Sequence, residues 1–380
     1  MKIGVFTNNY LPNPYGVANS IESFRKKLEA WGHPVFIFAP AWKNYQDENP
    51  KVFRYPSINT NFKFKFPLPL GYSRKINDLL EKVELDIIHS QHPNLLGTAA
   101  LKWAKKKKIP LVFTWHTLYD RYTNFVPFLP SAWVSRWTIK NAVKYANQAD
   151  LVIAPTESII EILRNWGVRS PIMTVASGVE EALFQNPQRE ETREKLNIKK
   201  EEILIILVSR LTEEKNVDFI FRALKDLLKK NDQIKFLVVG DGYLLPDLKK
   251  LAEKEELIKK IIFSGLIKKE ELKNYLAAGD IYVSASQSET QGMSLSEAMY
   301  LGLPVIAVSA TGTNSLVKNG ENGILVSENE KEFSQAVEKL VKDKDLREKM
   351  SLASAKIAKE NFTDEICAQK MLKIYESLIK

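Results

Sequence analysis

Two glutamates eight residues apart, Glu289 and Glu297, bracket the run Gly292-Met293-Ser294-Leu295. The run follows a strand-like segment, Ile281–Ser284, and leads into a helix-like one, Leu295–Leu301, so Glu289 falls in a loop and Glu297 one turn into a helix. Backbone amides of Gly292, Met293, Ser294 and Leu295 at that helix start can hold phosphate oxygens. A carboxylate in the loop can accept from sugar hydroxyls, and one inside the helix from the diol of a ribose. Paired carboxylates also suit glycoside hydrolysis, but here the amide cluster lies between them, which argues against it. Upstream, the strand-like Ile203–Val208 ends in Ser209-Arg210-Leu211-Thr212-Glu213-Glu214-Lys215-Asn216. Arg210, Lys215 and the start of the next helix form a cationic loop suited to a pyrophosphate, although surface charges at this spacing are common. Gly240-Asp241-Gly242 ends the strand-like Lys235–Val239, where glycine serves either close approach to a ligand or a tight turn.

The N-terminal half carries a second group. Gly16 opens the helix after the first strand, where its amide and the helix dipole would meet a phosphate, or where it merely starts the helix. With one glycine there, the dinucleotide fingerprint is absent, which disfavours a dehydrogenase. His89, His92 and His116 each end or follow a strand-like run. His116 suits a substrate hydrogen bond; His89 and His92 read as structural. No HxxxH or HExxH spacing and no neighbouring cysteine support zinc. Asp343-Lys344-Asp345 reads as a helix start, so no metal site is assigned.

The elements that must hold these groups alternate. Apolar runs such as Leu111–Trp115 and Leu151–Ala154 are continuous, as in parallel strands covered on both faces. Helix-like stretches, including Ala18–Trp31, Leu96–Lys107, Ser131–Asn147 and Val217–Lys229, separate them. The pattern occurs twice and predicts an α/β protein with two doubly wound domains, residues 1–185 and 186–362. The polar stretch 185–200 marks the boundary, and the chain from Glu330 onward is helical. A length of 380 residues accommodates two such cores. The single cysteine, Cys367, excludes a disulfide framework and fits a reducing compartment. No apolar run is long enough to span a bilayer, and Asn8 and Asn9 interrupt the first too early for a signal peptide.

The residues 1–185 hold 23 Lys and Arg against 14 Asp and Glu, whereas 186–380 hold 32 against 32. The formal net charge of +9 therefore lies in the first half, which points to an anionic partner there.

Glu289 and Glu297 match the E-x7-E motif of retaining nucleotide-sugar glycosyltransferases of the GT-B fold, the family 4 group. Ser209-Arg210…Lys215, Gly240-Asp241-Gly242 and Glu297-Ala298-Met299…Gly302-Leu303-Pro304-Val305 match in order and spacing. Ile87–His92 and Thr114–Tyr122 further resemble bacterial diacylglycerol glucosyltransferases. The resemblance implies two Rossmann-like domains facing across a cleft, with the last helix, 363–380, crossing back onto the first. It implies a donor, a UDP- or GDP-hexose, held mainly by the second domain. Arg210 and Lys215 would bind its diphosphate, Glu297 its ribose and Glu289 the transferred sugar, with the amides of Gly292, Met293 and Ser294 nearby. Gly16 would approach the diphosphate, His116 would lie beside the sugar, and backbone near Leu266–Lys268 would choose between UDP and GDP. Catalytic roles thus fall on His116, Arg210, Lys215 and Glu289, with no metal and no cofactor. The chain departs from the family at Tyr15-Gly16 and Ser177-Gly178-Val179, where the family often carries a second glycine or Asn-Gly and Asn-Gly-Val.

Two aromatic–basic segments mark the acceptor side: NFKFKFPLPLGYSRK (Asn61–Lys75) and RYTNFVPFLPSAWVSRW (Arg121–Trp137). They suit an anionic lipid surface; the plainer readings are an edge strand with outward lysines and a core helix plus loop. No nucleic-acid motif is present. The leading expectation is a metal-independent glucosyltransferase acting on a membrane lipid such as diacylglycerol, cytoplasmic and peripheral on the inner face of the cell membrane. The alternatives are a soluble sugar or phosphorylated acceptor, a GDP-mannose-dependent mannosyltransferase, and a non-catalytic nucleotide-sugar-binding protein.

Overall fold

The computed structural model describes residues 1–13, 16–59, 67–119 and 131–379. Pro14 and Tyr15, and the parts 61–66 and 121–130 of the two aromatic–basic segments, lie outside the described residues. The chain forms two compact units, Met1–Gly178 with Asp364–Lys380, and Val179–Thr363.

The first unit runs β1 (Ile3–Phe6), α1 (Gly16–Ala30), β2 (Val35–Pro40), β3 (Val52–Tyr55), β4 (Ser57–Asn59), β5 (Pro67–Pro69), α2 (Arg74–Lys82), β6 (Ile87–Ser90), α3 (Leu96–Lys107), β7 (Leu111–Thr114), α4 (Ser131–Ala146), β8 (Leu151–Ala154), α5 (Glu157–Trp166) and β9 (Ile172–Thr174). Seven of its strands form one parallel sheet in the order β3-β2-β1-β6-β7-β8-β9. Strand alternation fills both faces. Phe6, Phe38, Ile88 and Phe113 pack with Trp103 and Tyr145 on one side. Ile3, Val5, Ile37 and Ile153 pack with Ile21 and Leu28 on the other. A small antiparallel hairpin pairs β4 with β5, placing Ile58 opposite Leu68.

The second unit runs α6 (Arg189–Lys195), β10 (Ile203–Val208), α7 (Val217–Lys230), β11 (Ile234–Val239), α8 (Leu245–Lys254), β12 (Ile261–Gly265), α9 (Lys269–Ala278), β13 (Ile281–Ser284), α10 (Met293–Tyr300), β14 (Val305–Val308), α11 (Thr311–Leu316), β15 (Gly323–Val326), α12 (Glu330–Lys342) and α13 (Lys344–Asn361). Its sheet is parallel, ordered β12-β11-β10-β13-β14-β15. The last helix, α14 (Asp364–Leu378), belongs to the first unit. There Met371, Ile374 and Tyr375 join the core, and Lys27 sits 3.1 Å from Glu365.

Strand order reverses between β1 and β6 and again between β10 and β13. Loops leaving these strands diverge, so each carboxyl edge opens a crevice at the reversal. The residues with chemistry cluster at these two edges.

The structure moves several sequence boundaries. Residues 179–185 fall in the second unit, because Val179 donates to the Phe362 carbonyl at 2.7 Å and bridges to Thr363. The stretch 185–200 contains a helix, α6, that is part of the second unit. Arg193 there is 4% exposed and held by Asp280 at 3.1 Å and by the Ala278 and Glu202 carbonyls. A buried arginine whose charge is met by Asp280 and the Ala278 carbonyl from far along the chain looks like a polar linker when only its own segment is read. Asp343 caps α13 through the Leu346 amide at 2.9 Å. The lysines 105–107 occupy the last turn of α3, and Lys108 caps it.

Candidate active site

In the second unit, Lys215 closes a short turn after β10 and is 9% exposed. Its Nζ lies 2.5 Å from Oε1 of Glu289, which stands in the loop after β13. Arg210, from the same loop as Lys215, donates to Glu214 at 3.1 Å. Lys215, Glu289, Ser209, Tyr282, Gly292 and Ser294 line one pocket at the strand-order reversal. Sequence reading placed Lys215 and Glu289 in separate motifs, and the fold brings them into one ion pair.

The two glutamates differ in electrostatics. Burial opposes ionisation of Glu289, but the Lys215 charge and hydrogen bond, with Ser286 and Arg210, outweigh it and hold the carboxyl below its usual range. Glu297 is 5% exposed, and burial pushes its carboxyl up to about 7. Lys269 counters that rise and Glu180 adds to it; these two pair with each other by a hydrogen-bonded salt bridge. One carboxylate is thus fixed as an anion, while the other titrates near neutrality. Glu180 and Lys269 went unread in the sequence, because their role depends on a pairing across 89 positions.

Gly292 caps α10 at φ +88, a left-handed conformation that favours glycine. It turns the chain so that α10 begins at the pocket, with the amides of Met293 and Ser294 in its first turn. The Leu295 amide turns back onto the Gly292 carbonyl at 3.0 Å, and its side chain is buried, which leaves Leu295 less suited to a ligand than expected. Tyr282, unread in the sequence, reaches Ser294 Oγ at 2.9 Å from below. Gly240, read as either a close approach to a ligand or a tight turn, lies against the backbone of Ser209. At φ +134 its Cβ would lie 1.9 Å from the Ser209 carbonyl, so glycine lets β11 close against the loop that carries Arg210. Leu266 follows β12 and is 60% exposed.

In the first unit, Asn8, Gln91, His92 and His116 follow β1, β6 and β7 at the carboxyl edge. His116 Nε2 lies 2.7 Å from Gln91 Oε1. Gln91 is 5% exposed; it lies within the Ile87–His92 run that resembles the lipid glucosyltransferases, but its pairing with His116, 25 positions on, was not legible. The Asn8 amide donates to His92 Nδ1 at 3.1 Å, and Asn8 Oδ1 accepts from the Leu96 amide at 3.0 Å, tying β1 to the start of α3. His89 bridges Thr114 and Tyr375, each at 2.6 Å. Burial pushes His116 and His89 down to about 3 and His92 down to about 4, so all three are neutral at physiological pH. Gly16 is the first residue of α1. No metal-holding cluster of His, Cys, Asp and Glu occurs among the described residues.

The comparisons with known proteins agree with this layout. Residues 188–357 match the model for "Glycosyl transferases group 1", and residues 14–183 match "Glycosyltransferase Family 4". The chain is 33% identical to the alpha-monoglucosyldiacylglycerol synthase of Streptococcus pneumoniae, over 95% of this chain and 83% of that protein. It is 30% identical to the protein of the same name from Acholeplasma laidlawii, over 100% of this chain and 98% of that one. A GDP-mannose-dependent alpha-mannosyltransferase of Corynebacterium glutamicum is 27% identical over 100% of this chain and 89% of that one. Among solved structures, sucrose-phosphate synthase from Thermosynechococcus elongatus has a TM-score of 0.85 at 20% identity, covering 99% of this chain and 98% of that one. Anabaena HepE in complex with UDP-glucose has a TM-score of 0.80 at 19% identity, covering 100% of both chains. These two share the fold. The identity to full-length synthases, the matching pair of family models and the two parallel Rossmann-like sheets lead to one conclusion: this chain belongs to the group 1/family 4 glycosyltransferases and is a nucleotide-sugar-dependent hexosyltransferase of the GT-B type.

Proposed function

We propose that this enzyme transfers glucose from UDP-glucose to a membrane lipid, diacylglycerol, with retention of anomeric configuration and without a metal ion. The observation that carries the lipid acceptor is the likeness, over nearly the whole chain, to two proteins named alpha-monoglucosyldiacylglycerol synthase. The surface of the first unit is consistent with it. Ile58, Leu70 and Tyr72, in and beside the β4–β5 hairpin, are 59%, 58% and 64% exposed, in the half of the chain that holds the excess positive charge. Such a protein works as a peripheral enzyme on the inner face of the cell membrane; no helix among the described residues is long and apolar enough to cross a bilayer.

The reaction breaks the bond between glucose C1 and the diphosphate oxygen and forms one between C1 and the acceptor hydroxyl oxygen. Negative charge develops on the diphosphate. Arg210, Lys215 and the α10 amides of Gly292, Met293 and Ser294 stabilise it, a preorganised electrostatic contribution that needs no reorganisation of solvent. The acceptor hydroxyl attacks from the side the leaving group vacates, and its proton passes to a diphosphate oxygen. Glu289, held ionised by Lys215, accepts from hydroxyls of the transferred glucose. Glu297 accepts from the ribose diol. His116 and Gly16 are assigned to the sugar and the diphosphate through the family motif; the neutral His116 acts as a hydrogen-bonding group and not as a cation.

A second reading, a mannosyltransferase using GDP-mannose, has the likeness to the Corynebacterium glutamicum protein in its favour. Incubation of the enzyme with labelled UDP-glucose, UDP-galactose or GDP-mannose and diacylglycerol in anionic mixed micelles separates the readings. Lipid-soluble label from UDP-glucose alone is expected. Label from GDP-mannose alone would establish the second reading, and donor hydrolysis without lipid label would move the acceptor to a soluble molecule.

A further inference from the structure

Helix α4 is divided along its length. Ala142, Tyr145 and Ala146 are buried in the core of the first unit, and the Tyr145 hydroxyl donates to the Gly97 carbonyl at 2.9 Å. Between Trp133 and Asn141 no side chain is buried. Trp133 and Trp137 are 77% and 67% exposed. Arg136, Lys140 and Lys144 are exposed as well, and the spacing 133, 136, 137, 140, 144 puts all five on one stripe. The helix, SAWVSRWTIKNAVKYA, contains no Asp or Glu.

Core packing does not explain the stripe, since among the described residues of α4 only Ala142, Tyr145 and Ala146 are buried. Two indoles one turn apart, left in water, mark an interaction surface. Because α4 follows β7, its free half stands at the carboxyl edge of the sheet, the edge that carries Gln91, His92 and His116. Indole rings have an apolar body and one polar N–H, which suits the headgroup boundary of a bilayer, and cations interleaved with them at helical spacing suit lipid phosphates.

We infer that the Trp133–Lys144 face of α4 seats on an anionic bilayer, with both indoles at the headgroup boundary and Arg136, Lys140 and Lys144 over the phosphates. This rests on the membrane-lipid reading above and adds the element that makes the contact. It also brings the edge carrying His116 close to the bilayer surface.

The test is flotation of the full chain with vesicles of phosphatidylglycerol and phosphatidylcholine, and of phosphatidylcholine alone, at low and high salt. Four proteins are compared: wild type, Trp133→Ser/Trp137→Ser, Arg136→Gln/Lys140→Gln, and the hairpin variant Ile58→Ser/Leu70→Ser. Thermal melting and UDP-glucose hydrolysis monitor folding. Wild type is expected to float with the anionic vesicles, less so at high salt, and both α4 variants to bind at least about tenfold more weakly with unchanged melting. If a variant fails to fold, Trp137→Cys carrying an environment-sensitive dye replaces it. The native Cys367 is 1% exposed, with its thiol pushed up to about 12 by burial, so the label goes to the new thiol. A blue shift on anionic vesicles is expected, and its absence while the protein floats would overturn the inference.

Flotation of the α4 variants equal to wild type would also overturn it and leave the lipid acceptor standing. Failure of wild type to float, or its binding to a single-stranded oligonucleotide in place of vesicles, would overturn it too. Flotation through α4 with no glucolipid formed would instead sink the acceptor reading alone.

Discussion

Lys215 Nζ and Glu289 Oε1 meet at 2.5 Å, although 74 positions separate the residues in the chain. The pair joins the loop after β10 to the loop after β13, on either side of the strand-order reversal. In the proposed mechanism it holds an anion against the sugar hydroxyls and aims a cation at the developing diphosphate charge. Lys215→Ala is therefore expected to lower kcat by roughly 10²–10³-fold, the usual scale for losing one preorganised stabiliser of a developing anion. Melting should move little by comparison. The double variant with Glu289→Gln should lose far less than the product of the single losses, because the two act as a unit. Wild-type turnover in Lys215→Ala would remove the lysine from the mechanism.

Glu297 gives two pH dependences of opposite sign. Its carboxyl rises from an ordinary value of 4.5 to about 7 in the fold. A raised acid binds its proton more tightly when folded. This contribution to stability is complete below the ordinary value and is lost as pH rises through about 7. Wild type should thus lose stability between acid and mildly alkaline pH, by about 1–3 kcal/mol, relative to Glu297→Gln. In the proposed mechanism ribose hydroxyls donate to the ionised form, so the donor KM of wild type should fall over the same interval, whereas that of Glu297→Gln stays flat. Melting curves and donor KM across this range check both. A wild-type KM as flat as the variant's would separate Glu297 from ribose binding.

Gly312 holds Glu289 in place through its backbone. A Cβ there would lie 2.5 Å from the Glu289 carbonyl oxygen and 2.8 Å from its carbonyl carbon. Main chain cannot yield as a flexible side chain does, so Gly312→Ala should shift the Glu289 loop. The expected result is a loss of about 1–3 kcal/mol in stability and a fall in kcat that exceeds any rise in donor KM. Equal melting and equal kcat would show that the loop accommodates the methyl group.

His116 stays neutral under its burial and its hydrogen bond to Gln91. Its ring resonances in NMR should not titrate between pH 5 and 8, a range that spans the ordinary histidine value of about 6.5. Gln91→Leu removes the partner at 2.7 Å from His116 Nε2. It should reduce transfer while leaving melting within about 1 kcal/mol of wild type. An imidazole that titrates near its ordinary value would contradict the buried setting.

What the sequence made legible was local. Ile203–Val208 is apolar throughout because both faces of a parallel strand are covered, and the structure places β10 on those residues. Asp343 reads as a helix cap because capping is settled within three residues. The family motif named Arg210, Lys215, Glu289 and Glu297, and of these Lys215 and Glu289 line one pocket. What stayed hidden was set by distant pairing. The edge strand β15 was missed, as was the short helix α11, whose Gly312 abuts Glu289. Helix α6 was missed because its interior arginine is neutralised by Asp280 from far along the chain. Glu180 and Lys269 carry no motif, Gln91 lies in the Ile87–His92 run and Tyr282 in the strand-like Ile281–Ser284, and the roles of all four follow from which neighbours the fold supplies. Gly240 was legible as a close approach, but the neighbour it approaches, Ser209, was not.

Metal-independent, retaining glucosyl transfer to a lipid fixes both the anomer of the product and its indifference to chelators. Its most direct test is proton NMR of the lipid product formed from UDP-glucose and diacylglycerol with EDTA present. The expected product is a monoglucosyl lipid whose anomeric proton shows the small coupling of an α-glucoside, formed at the same rate as without EDTA. A large diaxial coupling would contradict retention, and loss of the product on adding EDTA would contradict metal-independent transfer.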